Sequence, residues 1–173
     1  MDEKNDRSGM GMAMFWGGLI CGVLDIGYAF ALYGARGISP IRLLDGIARG
    51  LIGLAALRGG AAAALLGLLL HFTIAFGAAV TYCLASRKFT WMIRHAFASG
   101  LLFGVAVYFF MNFIVIPLSQ IHRWPVIGTL FFVNLIEHMF IVGLPIALAA
   151  RRFMGRADVE TVSRTTLQAS QSA

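Results

Sequence analysis

Charge is scarce in this chain: Asp, Glu, Lys and Arg together make up 13% of its 173 residues, about half the share usual in soluble domains. A water-soluble fold of this length would lack the polar surface to cover itself. Cysteine is scarcer still. Cys21 and Cys83 are the only two and form no CxxC or other metal-spaced pair, so they read as small apolar fillers and argue against a disulfide framework or a thiolate metal site. The common catalytic signatures are missing as well: no HExxH, no set of histidine boxes, no GxSxG, and no Walker or GxGxxG loop. No catalytic residue is assigned, and the sequence leans away from an enzyme. The formal charge of +6 comes from basic residues standing singly or in pairs at the ends of apolar blocks. An extended basic stripe interleaved with aromatics is lacking, which argues against a nucleic-acid partner.

What the chain has is hydrocarbon. Apolar residues are 59% of the total and fall into blocks at about 12–34, 60–85, 96–116 and 126–150. Each is long enough to cross roughly 30 Å of bilayer core as a helix. The predicted fold is therefore all-α, an integral membrane four-helix bundle with the lipid bilayer as its partner. Ala29-Phe30-Ala31 resembles a signal-peptidase site, but the preceding residues are net acidic and the apolar stretch is too long for a signal core, so the segment is kept as the first span. Residues 1–11 are expected to form a flexible tail, and 153–173, rich in Ser, Thr and Gln, a disordered one.

Between the first two spans, Ser39 offers an N-cap and Pro40 a first helical residue. Apolar Ile41, Leu44, Ile47, Ala48, Leu51 and Ile52 follow at helical spacing, with Arg42, Asp45 and Arg49 opposite. That pattern predicts an amphipathic helix over about 40–57 lying in the membrane interface. With four crossings, both termini share a side with the loop after the second span, which gives that side nine Lys and Arg against five on the other. The positive-inside rule then places both termini in the cytoplasm.

Four ionisable residues fall near the middle of spans: Asp25 in the first, His71 in the second, Glu137 and His138 in the fourth. An Asp at that depth costs about 2.5–3.5 kcal/mol to insert, so these groups are expected to face the bundle interior and meet. Asn134, Glu137 and His138 share a helix face, while Gly100, Gly104, Tyr108 and Asn112 recur every fourth residue on the third span. Tyr108, Asn112 and Asn134 are read as supporting polar groups. Pro145, beyond His138, is expected to kink the fourth helix.

Three chemistries fit an Asp25, His71, Glu137, His138 centre. It could bind protons as a relay, or hold a divalent cation such as zinc or manganese with those four side chains as ligands. His71 and His138 could also clamp a haem, although this leaves both acids unexplained. The rival reading is an accessory subunit whose buried polar groups only fix helix packing. Four short spans enclose little volume, so a pathway could require a homo-oligomer, with the glycine face of the third span as the contact.

Gly59-Gly60 with Leu66-Gly67 and His71, then Tyr108, Met111 and Asn112 leading to Pro117-Leu118-Ser119, then His138 with Gly143-Leu144-Pro145, resemble the YagU-like group of small bacterial inner-membrane proteins of unknown function. The similarity covers roughly residues 17–152. It implies a four-span bacterial inner-membrane protein and supplies no catalytic residues.

Overall fold

The computed structural model describes residues 2–155, with side chains from residue 8 onward. The described chain is helical and without strands: α1 Asp2–Gly34, α2 Pro40–Ile52, α3 Gly60–Lys88, α4 Trp91–Arg94, α5 Ala96–Phe110, α6 Ile116–Leu118 and α7 Thr129–Glu137, with the helix running on to residue 155. Four stretches are long and apolar enough to cross a membrane: Ser8–Gly34, Gly60–Lys88, Ala96–Leu118 and Thr129–Gly155. The chain is an all-α four-helix membrane bundle. Helices are the form in which a segment can satisfy its own backbone polar groups in lipid.

Several boundaries differ from those read in the sequence. The polar stretch expected as a loose tail over 1–11 is helical from Asp2, because nothing in it breaks the helix that the apolar residues nucleate. The fourth span begins at Thr129 rather than 126 and continues to Gly155. The remainder of the tail expected over 153–173, with Arg156 and Arg164 of the charge count, lies outside the described residues.

The third span ends just past Pro117, at Leu118, while the fourth runs on through Pro145. Each proline is preceded by a π-helical turn, Met111–Val115 before Pro117 and His138–Gly143 before Pro145. There Ile116 N–H donates to the Met111 carbonyl and Leu144 N–H to that of Met139, five residues back. Proline has no N–H and crowds the preceding turn; a widened turn reassigns the orphaned carbonyls and lets the helix pass.

Small residues set how the spans meet. A Cβ on Gly143 would strike the Gly100 carbonyl and the Gly104 backbone, and one on Gly104 would strike the His138 carbonyl. The third and fourth spans are therefore in backbone contact along the glycine face that the sequence offered as a contact between copies. That face is consumed within the chain. Gly18 and Gly22 likewise receive Phe76 and Phe72 of α3, as close packing without a hydrophobic drive requires.

The bundle is packed unequally along its length. Toward the Ala13 end of α1, a continuous core of Ala13, Cys21, Ala79, Tyr82, Cys83 and Ile146 fills the interior. Tyr82 is fully buried and its hydroxyl pairs with Ser99 Oγ at 2.7 Å. Toward the Gly34 end, residues of all four spans and of α2 line an open chamber. Ser39 accepts a hydrogen bond from Arg42 N at 3.4 Å and caps α2; Gly53, at φ 63°, ends it in a conformation that favours glycine.

The short helix thus stands where the sequence put it, but its faces are used differently. Ala48 packs with Ala56, Ala63 and Leu66, and Gly67 of α3 leaves no room for a Cβ beside the Leu44 carbonyl. Asp45, expected on the polar face, is buried, whereas Ile41 and Leu51 are more than half exposed. A protein neighbour, unlike lipid, can accept small and polar residues, so α2 turns hydrocarbon outward. Its far end is tied by Gln120 N–H donating to the Gly50 carbonyl at 2.9 Å.

Candidate functional site

At mid-depth, where the solid core gives way to the chamber, Asp25, Glu137 and His138 converge. One ligand atom from each lies within 4.8 Å of the others. Asp25 comes from α1, and the other two from the junction of α7 with the His138–Gly143 π turn. Gly104 allows this: the third span passes so close to the His138 and Met139 backbone that no larger residue fits. The π turn therefore serves two ends. It accommodates Pro145 and it presents His138 beside Glu137.

Glu137 is buried, 6% exposed, and its Oε1 meets no N–H or hydroxyl donor among the described residues. Its Oε2 meets His138 Nδ1 in a short contact, and the same nitrogen lies 3.0 Å from the Asn134 carbonyl. A carbonyl can only accept, so Nδ1 carries the proton and donates. Asn134 thus contributes through its backbone, with its side chain in the chamber wall. Two ionised carboxylates within 4.8 Å of each other would repel by at least about 3.5 kcal/mol at an effective dielectric near 20. A positive charge between them removes that penalty.

His71 does not join the trio. Its Nε2 donates to the Gly22 carbonyl at 2.8 Å, and its Nδ1 stands 3.8 Å from Asp25 Oδ2. The four-ligand set expected from the sequence is thus three candidate ligands with one imidazole behind the first carboxylate. Such outer partners orient ligands. With one ring nitrogen held by Gly22 and the other facing Asp25, His71 is not placed to ligate iron, so this arrangement gives no support to the bis-imidazole haem. Depth along a helix was readable in the sequence; the rotation that sends His71 to Gly22 depends on packing.

The supporting groups are present. The Tyr108 ring is buried edge-on against His138 and Phe131, with both centroids 5.0 Å away. Asn112 Nδ2 donates to the Tyr108 carbonyl at 2.9 Å, beside the first π turn. Tyr28 was missed: its hydroxyl is buried without a partner, and it lines the chamber with Asp25. Its spacing of three from Asp25 on one helix was the available signal. Tyr33 and Arg42 also line the chamber, which is open on one side and has a volume of about 660 Å³.

Comparison of the chain with family models, with curated proteins and with solved structures found no match.

Proposed function

We propose that this is a multi-pass membrane protein whose Asp25, Glu137 and His138 bind a cation, a divalent metal or in its place protons, in transport or sensing. The observation that carries this reading is the convergence of two acids and an imidazole within 4.8 Å at the floor of a chamber. Donors of that type suit zinc or manganese once His138 gives up its Nδ1 proton or turns Nε2 to the ion. A tetrahedral zinc site places its donors about 3.4 Å apart, which modest rotation of the three side chains would reach. The chamber supplies access, and the solid core behind the trio blocks through-flow, so transport would need a second conformation.

The bias of Lys and Arg toward the side of the termini, with the resemblance to YagU-like proteins, supports a bacterial inner membrane with both termini in the cytoplasm. The chamber would then face the periplasm. A purely structural role has support at His71, whose bond to Gly22 ties two spans. It does not by itself account for a second acid buried beside Asp25 and His138.

Elemental analysis of the protein purified without chelator, followed by titration with manganese and zinc, tests the reading. Saturable binding at one site per chain, lost in Glu137→Gln with folded yield retained, is the expected result. Equal binding by the wild type and the variant sinks it.

A further inference from the structure

The chamber is far larger than an ion requires, and its wall is the wrong chemistry for a hydrated one. At about 660 Å³ it falls within the range of small-molecule sites. Ile26, Leu43, Ile47, Leu70, Val115 and Ile116 give it a hydrocarbon surface. Polar groups gather at the floor, where Asp25 and Glu137 supply negative charge and Glu137 keeps a buried oxygen that meets no N–H or hydroxyl donor among the described residues. Tyr28, Tyr33 and Tyr108 add aromatic rings to the same wall, and ring faces attract organic cations.

From this combination we infer that the chamber binds a lipophilic organic cation, its apolar body against the walls and its positive centre on Asp25 and Glu137. The inference rests on the cation-binding reading of the trio and names the substrate class. Arg42 is the opposing charge among the lining residues. It is exposed in the first turn of α2, where its long stem lets the guanidinium turn to solvent. An organic cation can therefore reach the acids with Arg42 left at the rim.

The occupant also explains why α2 covers the bundle. Leu43 and Ile47 turn their side chains to the chamber while Ala48 and the Leu44 backbone lie against α3. The helix supplies hydrocarbon wall on one side and close packing on the other.

Tetraphenylphosphonium and tetraphenylborate, nearly identical in shape and opposite in charge, provide the test. Equilibrium binding of each to the purified full-length protein in neutral detergent is measured beside manganese binding. The phosphonium should bind saturably, at least tenfold tighter than the borate, and compete with manganese. Glu137→Gln should weaken the phosphonium at least tenfold. Ile47→Trp, which fills the chamber away from the acids, should weaken the phosphonium and spare manganese, so a folded wall variant separates the two ligands. Preference for the borate, or phosphonium binding indifferent to both substitutions, overturns the inference. Manganese binding without phosphonium binding overturns it while the metal centre stands; absence of both overturns the inference and the centre together.

Discussion

His71 and Asp25 face each other across the first two spans at 3.8 Å, Nδ1 to Oδ2, while the opposite nitrogen of the same ring is bonded to the Gly22 carbonyl. The imidazole thereby fixes the depth of one span against the other and holds a carboxylate toward the chamber. This makes His71 a positioning residue for the candidate centre.

Replacing His71 by Phe keeps a ring and removes both polar contacts. Manganese affinity should fall about 10-fold to 100-fold, the usual cost of losing an outer partner. Stability should drop by about 1–3 kcal/mol, because the Gly22 carbonyl loses its side-chain donor in a dry interface. Titration and thermal unfolding in detergent read the two effects separately; unchanged affinity would remove the positioning role.

Glu137→Gln should stabilise the metal-free protein while abolishing metal binding. The substitution removes one of two facing negative charges in a site of low dielectric, and activity-bearing sites commonly carry such a cost. A thermal midpoint higher than wild type without metal, with no further rise on adding manganese, is expected. A lower midpoint would mean that Glu137 is held mainly for packing.

Gly143→Ala should be severe for so small a change. Its methyl would meet the Gly100 carbonyl and the Gly104 backbone, atoms that cannot rotate away. A loss of at least about 2 kcal/mol is expected, measured as folded yield and thermal midpoint. Gly27→Ala, where a Cβ meets nothing within 4 Å, is the matched control and should be nearly neutral.

Gly67→Val should loosen α2 rather than the bundle, since the new side chain would collide with the Leu44 backbone. In an Ile47→Cys background, labelling by a membrane-impermeant maleimide should rise several-fold. Cys21 and Cys83 are both buried and should stay silent. No rise would show that α2 is held by contacts other than this crossing.

The glycines illustrate how far sequence reading reaches. Their spacing marked the faces of close approach, and Gly100 and Gly104 do lie at one, against Gly143. Which helix would fill that face was not encoded in the spacing, and the answer was the fourth span of the same chain. Asp45 makes the same point from the other side: periodicity grouped it with Arg42 and Arg49, yet the fold buries it and leaves Arg42 exposed. The π turns were invisible for a related reason. Proline announces that a backbone bond is missing, but not whether the helix kinks, stops or widens to recover it.

By itself the sequence determined the four spans, the capped helix between the first two, and the shared depth of Asp25, His71, Glu137 and His138. These are local properties, fixed by hydropathy, by capping chemistry and by counting residues along a 1.5 Å rise. The tertiary structure alone decided that three of those groups meet, that His71 stands behind them, and that a chamber opens on their floor. Those outcomes depend on how each helix is rotated about its axis, and rotation is set by the small residues at which backbones touch.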